Sequence, residues 1–266
     1  MTDMTDMTQR RRRGRGLSRR SFLLRGAAAG GAALLGGCDQ LSQSPSFREL
    51  LASAEPLTEG VQRLVLSSRS LAREYPESDL SKHFKANGSV NVRDPAYQGL
   101  VQSGFADWRL EVGGLVERPA SLSLAELRKL PARTQITRHD CVEGWSAIGK
   151  WTGAQMAPLL QSVGLKPEAR YLVFHCADTL GRSGKYYESI DLIDAFHPQT
   201  ILAYDMNGAP LGVPYGAPMR LRVERQLGYK HAKYVQRIEA VSSFTMIRGG
   251  RGGFWEDLGY EWYAGI

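Results

Sequence analysis

The spacing of apolar residues predicts a body rich in β-strands in this chain of 266 residues. Apolar side chains alternate at Trp108, Leu110 and Val112, which predicts a strand that runs into a turn at Gly113-Gly114. Four more strands are predicted over apolar runs at residues 171–176, 200–204, 219–223 and 235–241. Asn207-Gly208 lies between two of these runs and is a strong signal for a tight turn.

Helices are predicted by helical spacing and by capping signals. Two amphipathic stretches precede residue 80, one over 47–54 and one with Val61, Leu64, Val65 and Leu71. Ser123-x-x-Glu126 fits a capping box and predicts a helix to about Leu130. Thr152-x-x-Gln155 fits a second one, before a helix with Met156, Leu159, Leu160 and Val163. Strands outnumber helices without regular alternation, so we expect an α+β fold with mixed β-sheets and short surrounding helices.

The positive charge of the chain is concentrated at its N-terminus. The formal net charge is +7, and residues 1–37 contain eight Arg and two Asp, which leaves +1 for the rest. Arg19-Arg20 precedes apolar residues and the Ala/Gly/Leu stretch 26–37, and this arrangement resembles a twin-arginine export signal. A basic RNA-binding arm is the alternative, but the nearly neutral body argues against a nucleic-acid partner.

The end of this signal also resembles a lipoprotein processing box. Leu35-Gly36-Gly37-Cys38 would make Cys38 an acylated N-terminus, so membrane attachment is expected only through this lipid or through a partner protein. We therefore expect a periplasmic protein with three parts. These are the signal at 1–37, a polar tether and N-terminal wrap at 38–80, and a globular domain at 81–266.

Two thiols remain in the body, Cys141 and Cys176. In an exported protein they could form a disulfide bond. A zinc site with His139 and His175 is a further alternative, although adjacent ligands rarely suit tetrahedral geometry. The run Arg248-Gly249-Gly250-Arg251-Gly252-Gly253 superficially matches an RNA-binding RGG pair, but beside Phe254-Trp255 we interpret it as an ordered C-terminal loop.

A set of ordered motifs resembles one enzyme family. The motifs are Phe84-Lys85-Ala86-Asn87, Arg138-His139-Asp140-Cys141-Val142-Glu143-Gly144-Trp145, His197-Pro198-Gln199-Thr200, Asn207-Gly208-Ala209-Pro210-Leu211, Gly216-Ala217-Pro218-Met219-Arg220-Leu221, Gly228-Tyr229-Lys230-His231-Ala232-Lys233 and Gly259-Tyr260-Glu261-Trp262-Tyr263. Together they resemble the sulfite oxidase-like molybdopterin enzymes, in the bacterial periplasmic branch that includes protein-methionine-sulfoxide reductase. The resemblance covers roughly residues 80–266.

The resemblance implies a sulfite oxidase-like molybdopterin-binding fold without the C-terminal immunoglobulin-like dimerisation domain, and hence a monomer. It implies molybdopterin with one molybdenum as cofactor and Cys141 as the metal ligand, because a soft thiolate suits a redox-active metal. Metal binding removes the thiol proton. Glu143 lies two residues further and is expected to relay protons at the metal; a surface carboxylate is the alternative.

The resemblance also implies a set of cofactor-binding residues: Lys85, Ala86, Asn87, Cys141, Cys176, Tyr215, Arg220, Lys230, His231, Ala232 and Lys233. Arginine suits a phosphate because its planar guanidinium makes bidentate contacts, whereas lysine acts as a point charge. Cys176 and Tyr215 depart from the reductase, which has Thr and Asn at these positions. The departures put the side-chain hydrogen bonds there in doubt.

The motif after Cys141 and the short remaining chain disfavour a sulfite oxidase proper. Two-electron oxygen-atom transfer to or from a sulfoxide-type substrate, small or protein-bound, is therefore expected. Arg182, Lys185, Tyr186 and Tyr187 are candidates for substrate contact. Sulfite dehydrogenase-like oxidation and a non-catalytic lipid-anchored binding protein of the same fold are the alternatives.

The electron supply is not encoded in the chain. The sequence has no haem attachment motif, no iron–sulfur cysteine pattern and no nicotinamide fingerprint. An external electron-transfer partner is therefore expected. The family resemblance makes a haem protein the expected donor.

Overall fold

The computed structural model describes residues 43–67, 69–180 and 184–266. The predicted signal peptide at 1–37 and the lipid attachment site at Cys38 lie outside the described residues. The chain divides into two compact units, Met1–Leu57 and Thr58–Ile266. No helix within the described residues has the length and the apolar character that crossing a membrane requires.

Ten strands among the described residues form two five-stranded sheets in the second unit. The strands are β1 Arg109–Gly114, β2 Ala120–Ser123, β3 Ala132–Cys141, β4 Trp145–Gln155, β5 Tyr171–Thr179, β6 Lys185–Asp191, β7 Ile201–Met206, β8 Ala209–Pro210, β9 Arg220–Arg222 and β10 Val235–Val241. The first sheet has the order β2-β1-β10-β5-β6, and only its β1–β10 pair is parallel. The second has the order β3-β4-β7-β8, and β9 also pairs with β7. Both the mixed sheets and the α+β class are confirmed.

The strands predicted from apolar runs are present. Strand β10 has the predicted bounds. Leu110 and Val112 of β1 and Trp108, which directly precedes this strand, belong to the main core. Asn207 and Gly208 join β7 to β8 with positive φ angles of 52° and 82°, so the predicted tight turn is confirmed. A φ above zero at both central positions is what a type I′ hairpin turn requires.

The helices are short, and one capping prediction is wrong. They are Pro45–Ala52, Ala54–Val65, Pro95–Gln102, Leu124–Leu127, Met156–Val163, Leu192–Ala195 and Phe254–Asp257, with 3-10 turns at Glu77–Asp79, Val213–Tyr215 and Gly228–Lys230. Ser123 and Glu126 form the predicted capping box. Thr152 and Gln155 do not, because both belong to β4, where the Thr152 hydroxyl lies 2.8 Å from the Thr134 hydroxyl across the strand pair.

Strands β3 and β4 form a long hairpin that the apolar pattern did not predict. Every residue of β3 pairs with β4, from Ala132 opposite Ala154 to Cys141 opposite Trp145. The turn contains Gly144, whose φ of 82° favours glycine. This hairpin carries Cys141 to the end of the second sheet.

Candidate active site around Cys141

Cys141 is the last residue of β3 and is partly exposed. The backbone N–H of Gly144 donates to the Cys141 carbonyl at 3.0 Å and closes the turn. Burial raises the pKa of the Cys141 thiol, while a hydrogen bond from the backbone of Glu143 opposes that rise. The thiol therefore keeps its proton in the free protein, and a bound metal would displace it.

Cys141 opens onto a cavity with about 640 Å³ of empty space, part of it open to solvent. The lining residues come from five separate segments of the chain. They are Asn87, Gly88, Ser89, Cys141, Val142, Glu143, Asp178, Leu180, Tyr186, Gly228, Tyr229, His231, Lys233, Trp255 and Tyr260. Five of the predicted site residues, Asn87, Cys141, Glu143, His231 and Lys233, thus meet at one cavity.

Glu143 stands at the cavity with its carboxylate engaged by two neighbours. Oε2 accepts a hydrogen bond from Trp145 Nε1 at 3.0 Å and forms an ion pair with Lys85 Nζ at 2.9 Å. The hydrogen bond from Trp145, followed by the contact with Lys85, lowers the pKa of Glu143. Lys85 itself does not line the cavity, so its direct role in this structure is to hold Glu143.

Lys233 is buried and holds one wall of the cavity. Its ammonium group donates to the backbone carbonyls of Asn87, Ser89 and Pro214. A lysine has three N–H donors, so these carbonyls use all of them. Burial and the nearby Arg220 lower the pKa of Lys233 to about 7. Lys233 therefore fixes the loop at 87–89, and a bound cofactor phosphate would favour its charged form.

His231 presents a hydrogen-bond acceptor that is not satisfied. Its Nε2 lies 3.0 Å from the Gln226 carbonyl, so Nε2 carries the proton, and Nδ1 is buried without a partner among the described residues. Burial, followed by the charge of Arg222, holds the pKa of His231 well below its usual value. The neutral ring therefore suits an N–H donor such as those of a pterin more than a phosphate.

Arg220 and Tyr215 brace the cavity from behind. Arg220 is fully buried, and its Nη atoms donate to the carbonyls of Tyr215 and His231. The Tyr215 hydroxyl donates to the Phe84 carbonyl at 3.0 Å. These contacts tie together three segments that carry predicted cofactor residues, although neither side chain lines the cavity.

The remaining predicted cofactor residues do not line the cavity. The Lys230 ammonium group lies in an ion cluster with Glu188 and Glu256, Ala86 is half-buried, and Ala232 is buried. Cys176 is buried in the main core, where burial raises the pKa of its thiol well above the usual value.

Both alternatives for the two thiols are wrong. Cys141 and Cys176 are free, so the disulfide bond is absent. The zinc site is also unsupported, because the described residues contain no group of three or more His, Cys, Asp or Glu side chains that could hold a metal ion.

The expected substrate-contact residues divide between the cavity and other surfaces. Tyr186 lines the cavity. Lys185 pairs with Asp94 at 2.9 Å, and the Tyr187 hydroxyl donates to Asp257 at 2.5 Å. Arg182 lies outside the described residues.

Sequence reasoning missed Asp178 and most of the aromatic side of the cavity. Asp178 is 4% exposed, its Oδ1 has no partner among the described residues, and burial raises its pKa to about 6. The available signal was a carboxylate directly after an apolar run, at the end of β5. Tyr229, Trp255 and Tyr260 had no signal beyond their motifs.

The cavity fits a molybdopterin cofactor. A thiol for the metal stands at one side, a buried ammonium group supplies charge, and unsatisfied buried acceptors occur at Asn87 Oδ1, Asp178 Oδ1 and His231 Nδ1. A pterin offers N–H donors that such acceptors can bind, and unsatisfied buried acceptors are costly unless a ligand pairs them.

Comparisons with known proteins agree with this geometry. Residues 98–245 match the family described as the oxidoreductase molybdopterin binding domain. The chain is 40% identical over 251 residues to a protein of Azospira oryzae that is provisionally named protein-methionine-sulfoxide reductase subunit YedZ1, and the match covers 93% of this chain and 88% of that protein. The catalytic subunit MsrP of protein-methionine-sulfoxide reductase from Xanthomonas axonopodis pv. citri is 38% identical over 164 residues.

The second of these matches is partial. It covers 58% of this chain and 49% of the Xanthomonas protein, so the chain spans about half the length of that relative. Among solved structures, the sulfane dehydrogenase SoxCD from Paracoccus pantotrophus matches with a TM-score of 0.47 and 25% identity, over 52% of this chain and 39% of that one.

Proposed function

This chain belongs to the family of molybdopterin-binding oxidoreductases, with molybdopterin and molybdenum as its cofactor, and on that premise we propose that it reduces sulfoxides, in particular methionine sulfoxide in proteins. The observation that carries the proposal is the Cys141 thiol, which opens onto a cavity lined by aromatic and apolar side chains. The names of both relatives point to the same substrate class.

Cys141 would hold the metal as a thiolate. The loop at 87–89, His231 and Asp178 would hold the pterin, and Lys233 would contribute charge toward its phosphate. When bound, the molybdenum supplies two-electron oxygen-atom transfer. The overall reaction is R₂SO + 2e⁻ + 2H⁺ → R₂S + H₂O, so the protein must also admit two protons and two electrons.

The chain's own residues would handle substrate and protons. Val142, Leu180, Trp255 and Tyr260 give the cavity an apolar lining that suits a thioether side chain and excludes water from it. The half-exposed Glu143 carboxylate reaches both the cavity and solvent, and it would relay protons between them.

Sulfite oxidation is less well supported by the cavity. An anionic substrate needs a cationic donor of its own, and Lys233, the one lysine or arginine among the described lining residues, is already assigned to the cofactor phosphate.

The electrons would come from a separate haem protein, and the enzyme would work in the periplasm after twin-arginine export. The Azospira relative is named as a subunit, which supports the existence of a partner protein. The haem partner is what the family resemblance implies, and the export route is what the twin-arginine motif implies.

The test is to purify the protein after native export and to measure molybdenum, pterin and turnover. A reduced artificial electron donor serves the sulfoxides and the N-oxide, and an oxidised artificial electron acceptor serves sulfite. The substrates are a peptide with methionine sulfoxide, free methionine sulfoxide, an N-oxide and sulfite. We expect stoichiometric molybdenum and fastest turnover of the peptide. Sulfite oxidation without sulfoxide reduction would refute the proposed substrate, and protein without molybdenum would refute the assigned cofactor.

A further inference from the structure

Behind the cavity lies a buried cluster of three charged side chains, Glu188, Lys230 and Glu256, called here the ion cluster. Lys230 Nζ lies 2.6 Å from Glu188 Oε1 and 2.6 Å from Glu256 Oε1. All three side chains are at most 1% exposed. The ion cluster belongs to none of the roles assigned above.

Each member of the ion cluster comes from a different element, and each is next or close in sequence to a lining residue of the cavity. Glu188 on β6 follows Tyr186 by two residues, Lys230 lies between Tyr229 and His231, and Glu256 follows Trp255. The ion cluster therefore joins three segments that build one side of the cavity.

Those segments present four aromatic side chains, Tyr186, Tyr229, Trp255 and Tyr260, called here the aromatic wall. The Tyr186 hydroxyl donates to the Tyr229 carbonyl at 2.5 Å. The Tyr260 ring lies 5.3 Å from the rings of both Tyr229 and Trp255. The aromatic wall is thus continuous, and its Trp255–Tyr260 part is tied to the sheet through Glu256.

The charge of the ion cluster does not balance unless one carboxyl group holds a proton. One ammonium group faces two carboxyl groups, and an unpaired charge at this depth is very costly. Both carboxyl groups also crowd Gly253, where a Cβ would contact Glu188 Oε1 and Glu256 Oε2. Close carboxyl groups of this kind share a proton because two adjacent negative charges repel.

The retained proton belongs to the pair of carboxyl groups, and the shift in pKa falls on Glu188. Burial, followed by the charge of Glu256, raises the pKa of Glu188 well above its usual value, although Lys230 opposes the shift. Tyr186, Tyr187 and Cys176 also face Glu188, and all three are neutral near pH 7 because their own pKa values are raised.

We propose that the ion cluster is a positioning unit that carries one retained proton and fixes the aromatic wall against the bound substrate. The Lys230 ammonium group pairs with the two carboxyl groups and does not contact the substrate. Lys230 influences the substrate only by fixing its neighbours Tyr229 and His231. The link to substrate rests on the proposed sulfoxide reductase function. The retained proton and the anchoring of the wall do not.

The first experiment tests the retained proton with Glu188→Gln, which replaces a neutral acid by a neutral amide. A raised pKa in the folded state gives stability that is present at low pH and is lost as pH rises through the folded value. We expect wild-type stability to decline relative to that of Glu188→Gln as pH rises above the usual carboxyl pKa of 4.5. An identical pH dependence of denaturant unfolding in the two proteins would overturn the retained proton.

The second experiment tests positioning with the double variant Lys230→Met/Glu256→Gln, which leaves no charge when Glu188 is protonated and so should fold. Arg128→Met/Asp205→Asn is the control, because this ion pair joins elements away from the cavity. We expect faster amide hydrogen exchange at 253–260 and a rise in KM for the sulfoxide peptide of about tenfold, with kcat within about twofold.

The outcomes separate the two proposals. Unchanged exchange at 253–260 would overturn the anchoring of the wall, whatever the enzyme catalyses. Faster exchange with an unchanged KM would overturn the link to substrate. Wild-type enzyme with no sulfoxide turnover would refute the proposed function and leave the exchange result to decide the anchoring.

Discussion

The α-carbon of Gly228 lies against the imidazole of His139, and a methyl group built on Gly228 would lie 2.6 Å from His139 Nε2. Gly228 lines the cavity, whereas His139 is buried behind Cys141 and its Nδ1 lies 3.0 Å from Arg222 Nη1. The absence of a side chain at Gly228 therefore lets the cofactor-binding segment pack against the strand that carries Cys141.

Gly228→Ala should disturb this packing. We expect a loss of about 1–3 kcal/mol in the free energy of unfolding, since an extra methyl in a packed interior forces shifts. Denaturant unfolding of the cofactor-free protein measures it. Gly113→Ala is the matched control, because a Cβ there has nothing within 4 Å, and an equal loss in both variants would contradict the account.

Asp178 should make stability depend on pH. Its pKa is raised to about 6 by burial, against a usual value of 3.8. A raised carboxyl pKa means that stability is highest at low pH and is lost as pH rises through about 6. Between pH 4 and about 7, we expect the cofactor-free wild-type protein to lose about 2–3 kcal/mol more of its free energy of unfolding than cofactor-free Asp178→Asn. Parallel curves for the two proteins would show that Asp178 ionises freely in the fold.

Glu143 should matter for turnover more than its neighbour Asp140. Both carboxylates flank Cys141 on the hairpin, but Asp140 accepts from Arg138 and Ser146, whereas Glu143 lines the cavity. We expect Glu143→Gln to lower kcat by ~100-fold if it moves protons, with molybdenum content unchanged. Asp140→Asn should retain kcat. Equal effects of the two substitutions on steady-state kinetics would remove Glu143 from the proton path.

Export should depend on one arginine pair. We expect Arg19→Lys/Arg20→Lys to retain the protein in the cytoplasm, because this pair lies in the proposed twin-arginine signal. Arg10→Lys/Arg11→Lys alters another adjacent pair in the same basic segment and should be exported normally. Cell fractionation distinguishes them, and normal export of both variants would refute the assigned route.

The sequence predicted the strands whose buried residues are apolar. It missed β3 because the buried positions of that strand are Gln135, Thr137 and His139, which have no apolar pattern. They are tolerated there because Arg222 and Glu224, which are also buried, give each of them a hydrogen bond. Long-range pairing of this kind has no signature within a single segment.

The site was predicted in part for a similar reason. The motifs carried Cys141, Glu143, Asn87, His231 and Lys233 to one cavity, because motif order preserves the segments that meet there. Side-chain partners were not predictable. The Lys230 ammonium group pairs with two carboxyl groups that are distant in sequence, and the Lys233 ammonium group donates to three backbone carbonyls. The positive charge of a lysine in the sequence does not indicate which of these partners it binds.

The central claim is that Cys141 holds the molybdenum, and the chain contains its own control. Cys141→Ser and Cys176→Ser each remove one thiol, but only Cys141 lines the cavity. The measurement is the molybdenum content per folded protein together with the Mo(V) resonance. We expect Cys176→Ser to keep both signals, and Cys141→Ser to lose the Mo(V) resonance and most of the metal. A wild-type Mo(V) resonance in Cys141→Ser would contradict the account.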